Sequence, residues 1–183
     1  MIILMGVAGS GKSMQGRLQA DEHGYAWIST GEILRVLITG KRRQEMLQGK
    51  LLSDEEMVRV LDTVFEVIDT KQEFILDGFP RTVVQADWLL ENVDKGRFPL
   101  TAVIHLNASK DIVRERLKKR GRQDDSEEAI AKRFKEYEAV TTPIINHFRQ
   151  VGVHVYDIDG GSDPATVHRE ITRIIDHNNN SKD

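Results

Sequence analysis

The sequence predicts an α/β protein: a five-stranded parallel sheet with helices on both faces. Three observations predict it. Short apolar runs alternate with amphipathic stretches of crossover length, two of those runs are apolar throughout, and a glycine-rich turn ending in Lys-Ser follows the first run directly.

The strands are expected at Ile2–Met5, Tyr25–Ser29, Phe74–Asp77, Ala102–Leu106 and Val153–Ile158. Phe74-Ile75-Leu76 and Val103-Ile104 are continuous rather than alternating, as strands covered on both sides require. Val60, Leu61, Val64, Val67 and Ile68 recur at helical spacing and read as one buried stripe. Ser29-Thr30-Gly31-Glu32 and Ser53-Asp54-Glu55-Glu56 both fit a capping box, and Pro164 suits the first turn of a last helix. The polar tail from His177 to Asp183 is expected to fray. Inserts at Glu32–Thr70 and Lys118–Arg133 interrupt the alternation and read as a substrate flap and a lid. One domain over 1–183 follows, with a core of 1–29, 71–116 and 134–176, an insert of about 30–70, a lid of about 117–133 and a tail of 177–183.

Composition narrows the function classes. The 183 residues are 39% hydrophobic and 30% charged, and 26 Lys+Arg stand against 29 Asp+Glu for a net charge of −3. That balance argues against a dedicated nucleic-acid binder. With Cys 0, no disulfide framework, thiolate zinc site or cysteine nucleophile is available. No apolar run approaches a membrane span, and the opening Met1–Met5 is too short and too soon polar for a signal peptide. A cytoplasmic, monomeric protein is expected.

Gly6-Val7-Ala8-Gly9-Ser10-Gly11-Lys12-Ser13 matches G-x-x-x-x-G-K-[ST], the phosphate-binding P-loop, in its required place between strand and helix. The glycines let successive N–H groups face phosphate oxygens while the next helix presents its positive end. Lys12 would supply a charge to the β/γ-phosphates and Ser13 a hydroxyl to Mg²⁺. Asp77, ending the third strand before Gly78-Phe79-Pro80-Arg81, is placed to hold Mg²⁺ through water; a D-G turn with an exposed arginine is the plainer reading. Arg114, Arg116, Lys118, Lys119, Arg120 and Arg122 put six cations into nine residues, and Arg133 follows on the next helix. A phosphate clamp, a solvated helix face and an RNA patch are the readings of that cluster, and the clamp fits best beside a P-loop. GTPases, ATPases and small-molecule kinases all remain open on the P-loop alone.

The ordered set of motifs resembles the adenylate kinases, members of the P-loop nucleoside monophosphate kinase fold, over essentially the whole chain. The pieces are Gly6–Ser13 with Gln15, Ser29–Arg35, Asp77–Thr82 with Gln85 and Ala86, Arg116 with Arg120, and Gly121–Asp125 with Arg133 and Tyr137. Asp157–Gly160 also looks like the segment that borders the adenine of ATP. The resemblance implies reversible, Mg²⁺-dependent phosphoryl transfer between ATP and AMP, without a phosphorylated side chain. It implies ATP binding by Gly9, Ser10, Gly11, Lys12, Ser13, Met14, Arg116, Arg120, Gly160 and Gly161. AMP binding falls to Thr30, Arg35, Leu51, Leu52, Gly78, Arg81, Gln85, Arg122 and Arg133. Catalysis falls to Lys12, Arg81, Arg116, Arg120, Arg122 and Arg133, with Ser13 and Asp77 toward the metal. Thr30 and Gln85 fit the AMP pattern rather than the UMP/CMP one, since a glutamine amide can match the N6/N1 edge of adenine. A P-loop kinase for UMP, CMP or a small metabolite is the alternative, and a nucleotide sensor without transfer activity is the non-enzymatic one.

The chain departs from the family's pattern in three places. Ala8 stands where proline is common, Ser13-Met14 where Gly-Thr is common, and only Gly121 separates Arg120 from Arg122, giving a short lid. No structural zinc is expected. The six histidines, Trp27 and Trp88 read as packing or surface residues, and Lys41, Arg42 and Arg43 as a solvated turn.

Overall fold

The computed structural model describes residues 1–47, 52–121 and 126–180. β1 (Ile2–Met5) is the middle strand. β3 (Phe74–Asp77) and β2 (Ala26–Ser29) lie to one side, and β4 (Ala102–Asn107) and β5 (Val155–Asp159) to the other. All four pairings are parallel. The strand order therefore changes direction around β1, which is where an open α/β sheet places its ligand crevice. The five expected strands are present; β2 begins one residue late, β4 runs one residue longer, and β5 is shifted to Val155–Asp159.

β1 shows why both faces are covered. Ile3 and Met5 enter one core cluster and Ile2 and Leu4 the other, as the two-residue period of a strand dictates. The first cluster packs α4 (Asp54–Val67), α5 (Val83–Asp94) and α8 (Thr142–Gln150), through residues such as Leu61, Leu89 and Phe148. Within it Phe65, Phe74 and Phe98 meet with ring centroids 5.2–5.8 Å apart. Fully burying each such ring is worth about 1.5–3 kcal/mol. The second cluster packs α1 (Lys12–His23) and α9 (Pro164–Asn180) through Ala20, Val167, Ile171 and Ile175. A third, smaller cluster joins Val7 of the glycine-rich loop to α6 (Lys110–Arg120) and α7 (Glu127–Glu136) through Val113, Leu117, Ile130 and Phe134. It ties the helices that carry Arg116, Arg120 and Arg133 to the loop itself.

The insert after β2 contains α2 (Thr30–Leu37), α3 (Gly40–Leu47) and α4. Ser53 forms the complete capping box with Glu56. Ser29 does not: it ends β2 in an extended conformation and makes no side-chain cap, while Glu32 turns to Arg35. Val67 also departs from the expected stripe. It is 83% exposed, because Met57, Leu61 and Phe65 define the buried face and Val67 lies at the outer end of the helix. Between α7 and α8 the chain makes one π-helical segment, Tyr137–Thr141. The expected fraying from His177 does not hold as far as Asn180: α9 continues to that residue, and Asn178 Oδ1 accepts a hydrogen bond from Tyr156.

Candidate active site

The loop after β1 is shaped by Gly6, Gly9 and Gly11, all at positive φ. Gly6 shows why glycine is needed: a Cβ there would sit 2.4 Å from Leu106 O. Helix α1 then starts at Lys12 with no acidic side chain in its first turn, so its free N–H groups face the loop undiminished. Lys12 Nζ reaches back to donate to Gly6 O at 2.6 Å and Val7 O at 3.0 Å. Ser10 Oγ is buried without a partner. Arg116 braces the far side of the loop, donating to Gly160 O at 2.6 Å, Ser10 O at 3.4 Å and Ser162 O at 3.5 Å.

The second half of the site is built at the end of β3. Asp77 is 3% exposed and accepts a 2.6 Å hydrogen bond from Ser13 Oγ. Gly78 turns at φ +85, and a Cβ on it would meet Thr30 Oγ1 at 2.7 Å. Thr30 instead donates to Gly78 O at 3.0 Å and Asp77 O at 3.3 Å, fastening the start of α2 to this loop. Arg81 Nε donates to Gly78 O at 2.9 Å. Arg35 pairs with Glu32 at 2.6 Å, and its Nε is buried without a partner, an N–H available to an anion. Gln85 lies beneath, its Oε1 accepting from Arg81 N at 2.7 Å and its Nε2 donating to Asp54 Oδ1 at 2.8 Å. Along the outer side of α1, an open pocket of about 400 Å³ is lined by Ser13, Met14, Arg17 and Leu18 together with Glu32 of α2.

Electrostatics join the halves. Lys12 keeps a partly open surface, yet loss of hydration among the surrounding atoms pushes it down from 10.5 to about 8. Asp77 opposes that shift, while Arg81, Arg120 and Arg133 reinforce it. Arg81 opens to solvent but is enclosed on its inner side, and its guanidinium is lowered first by desolvation, with Asp77 and Glu136 opposing and Arg133 and Arg35 reinforcing. Positive groups on α1, the Gly78 loop, α6 and α7 thus act on one another around a single buried carboxylate. Such a field suits a highly charged anion.

Not every expected residue joins this group. Arg116 is on the carbonyls of Ser10, Gly160 and Ser162 rather than beside Lys12. Met14 is 44% exposed and lines that pocket, and Leu52 packs on the main core cluster. Leu51 and Arg122 lie outside the described residues. The basic run on α6 divides its labour: Arg114 and Lys118 pair with Glu127, and Lys119 with Glu115.

The adenylate kinase family model matches residues 4–153. The chain belongs to the adenylate kinase family. It is 38% identical over 154 residues to an adenylate kinase of Corynebacterium urealyticum, covering 81% of this chain and 85% of that one. It is 33% identical over 180 residues to an adenylate kinase of Prochlorococcus marinus, covering 95% and 97%. A third, from Rhodopirellula baltica, is 35% identical over 181 residues, covering 95% and 94%. Set against the adenylate kinase pattern, Ser13 is a departure with a visible consequence, because its hydroxyl holds Asp77.

Two features escaped the sequence. Asp54 reads only as a member of a capping box, and nothing local points to its contact with Gln85, 31 residues away. His105, read as a packing residue, links Asp157 at 2.7 Å to Tyr137 at 2.5 Å and so ties β4 to the segment after α7.

Proposed function

We infer that the chain works as an adenylate kinase, moving the terminal phosphoryl group of ATP to AMP and back, with two ADP as product. The observation that carries this reading is the convergence on Lys12 of Arg81, Arg120 and Arg133, drawn from three other elements, beside the Asp77 carboxylate that Ser13 holds. Phosphoryl transfer asks little covalent chemistry of the protein; it asks for two phosphate chains held in line while negative charge is neutralised.

In this reading Gly9–Met14 cradle the β- and γ-phosphates of ATP through backbone N–H groups, and Lys12 leaves the loop carbonyls to meet them. Arg116, with Gly160 and Gly161, borders the ATP base. Thr30, Arg35, Gly78 and Arg81 hold the AMP phosphate, Leu51 and Leu52 approach its base, and Gln85 reads the base edge. The unpartnered Nε of Arg35 supports the phosphate assignment. Arg120, Arg122 and Arg133 draw charge off the group in transit. Closure of α6 and α7 over it excludes the water that would otherwise hydrolyse ATP.

A magnesium ion fits the oxygen donors present. Among the described residues no three His, Asp or Glu side chains converge. The ion would therefore be held chiefly by phosphate oxygens and water, with the Ser13 hydroxyl and the Asp77 carboxylate as hard partners. When bound it neutralises charge on the ATP phosphates. Among the described residues no helix is long and apolar enough to cross a membrane. A cytoplasmic monomer is the setting we propose.

The test is an ADP-forming assay with ATP and a panel of AMP, UMP, CMP and gluconate. AMP should be turned over at least tenfold faster than any other acceptor. Equal rates across the panel would overturn the assignment.

A further inference from the structure

We propose that Asp54 is a specificity-determining positioning residue: by fixing which way the Gln85 carboxamide points, it makes the acceptor site select a 6-aminopurine over a 6-oxopurine monophosphate. This rests on reading Gln85 as the residue that meets the acceptor base.

A carboxamide turned over by half a rotation has nearly the same shape and the opposite polarity, so shape alone cannot orient it. Its neighbours here can. Arg81 N–H is a pure donor and faces Gln85 Oε1 at 2.7 Å. The Asp54 carboxylate is a pure acceptor and faces Nε2 at 2.8 Å. Turning the amide over would set N–H against N–H and carbonyl against carboxylate, losing both bonds, one of them charge-assisted. Gln85 is 3% exposed, so water does not step in to satisfy the wrong orientation.

Asp54 is itself held firmly. Thr82 Oγ1 donates to the same Oδ1 at 2.9 Å while accepting from Gln85 N at 3.2 Å, so its single proton is committed to the carboxylate. The Ser53–Glu56 capping box fixes the helix start that presents Asp54. The orientation of Gln85 follows from this chain of contacts, whose ends at Arg81 N–H and the Asp54 carboxylate can each play only one part.

The remaining capacity of Gln85 then has a set polarity: one lone pair on Oε1 and one N–H on Nε2. That edge pairs with adenine, whose N6–H donates and whose N1 accepts. A 6-oxopurine offers the reverse, an accepting O6 and a donating N1–H, and pairs only with the turned amide. Discrimination arises because the wrong base leaves buried polar groups unpaired.

The experiment measures kcat/KM for AMP and for IMP, with ATP as donor, in the full-length wild type, Asp54→Asn and Asp54→Ala. IMP differs from AMP only in the base's 6-substituent and N1 proton. Asparagine can donate to a turned Gln85 while Arg81 N–H still opposes the turn, so Asp54→Asn should lower the AMP:IMP ratio about three- to tenfold, the scale of one hydrogen bond, with IMP gaining in absolute terms. Asp54→Ala, which removes the acceptor without adding a donor, should lower it by a smaller factor. Asp54→Glu, an acceptor again, should restore most of the ratio. Equal losses for both substrates would show a merely structural role and overturn the proposal. If Asp54→Asn does not fold, as read by its melting curve, an unchanged ratio in Asp54→Ala overturns it instead. A wild type that does not turn over AMP would sink the underlying reading of the site, and that failure is visible before any variant is made.

Discussion

The hydroxyl of Ser13 donates a 2.6 Å hydrogen bond to the carboxylate of Asp77, joining the first turn of α1 to the end of β3 across 64 positions. It connects the loop that would hold the donor's phosphates to the carboxylate that would meet the metal's water. Ser13→Ala removes the donor and leaves the buried carboxylate free to turn. The Mg²⁺ concentration at half-maximal rate should rise roughly three- to tenfold, the scale of one hydrogen bond of about 1 kcal/mol. The rate at saturating Mg²⁺ should stay within about twofold. An unchanged Mg²⁺ titration would remove Ser13 from the metal site.

Lys12 gives a pH dependence with a definite sign. Its folded value of about 8 lies below its ordinary 10.5. Lys12 is therefore charged in the free protein below about pH 8 and increasingly neutral above it. A bound phosphate chain favours the charged form, so ATP binding should take up a proton above that value and weaken as pH rises through it. Titration calorimetry at pH 8.5 in two buffers of different ionisation enthalpy reads this directly. The linkage to stability runs the other way from a paired lysine: the unfolded chain binds more protons between about 8 and 10.5, so this group's cost to the fold fades as pH rises across that window.

Lys12→Met should cut turnover by at least about 10²-fold, on the scale of losing one positioned electrostatic group. Its melting temperature at pH 7 should not fall, because the side chain that gives up hydration on folding has been replaced by an uncharged one of similar length. Arg81→Ala should cost a similar factor in turnover with the fold intact by circular dichroism. Near-normal rates in either variant would contradict the roles assigned to these side chains.

Gly78→Ala forces a left-handed φ on a residue with a Cβ and sets that atom 2.7 Å from Thr30 Oγ1. The backbone term alone costs about 1–2 kcal/mol. The loss should appear as a lower melting temperature together with a KM for AMP raised several-fold, while the KM for ATP, whose loop is elsewhere, changes little. A parallel rise in both would mean that the two halves of the site are not separable in this way.

Much of the architecture was legible because it rests on short-range rules. The apolar runs at Ile2–Met5 and Phe74–Asp77 fall where expected, and so do the glycine loop and the capping box at Ser53. Local rules failed where a distant partner outweighs them. Ser29 has the capping signature, but as the last residue of β2 it is held in register with Asp77, and Glu32 is taken by Arg35. Val67 has the helical spacing of a core residue, but the helix ends there and the sheet is on its other face. The polar run after His177 suggests fraying, yet Ile171 and Ile175 anchor α9 from below and carry the helix on to Asn180. In the site, the motifs single out Lys12, Asp77, Arg81, Arg116, Arg120 and Arg133 as candidates, but local pattern carries no information on the partner each one takes. Arg116 braces backbone carbonyls, and the orientation of Gln85 depends on Asp54, a residue whose own motif announces only a helix start.

Phosphoryl transfer by this chain requires two nucleotide sites whose phosphate ends face one another across one set of cations. The most direct test is the binding of a single molecule carrying two adenosines joined through five phosphates, measured by calorimetry. One molecule should bind per chain, compete with ATP and with AMP alike, and lose at least tenfold in affinity in both Lys12→Met and Arg81→Ala. Competition with only one of the two nucleotides, or binding indifferent to either substitution, would contradict it.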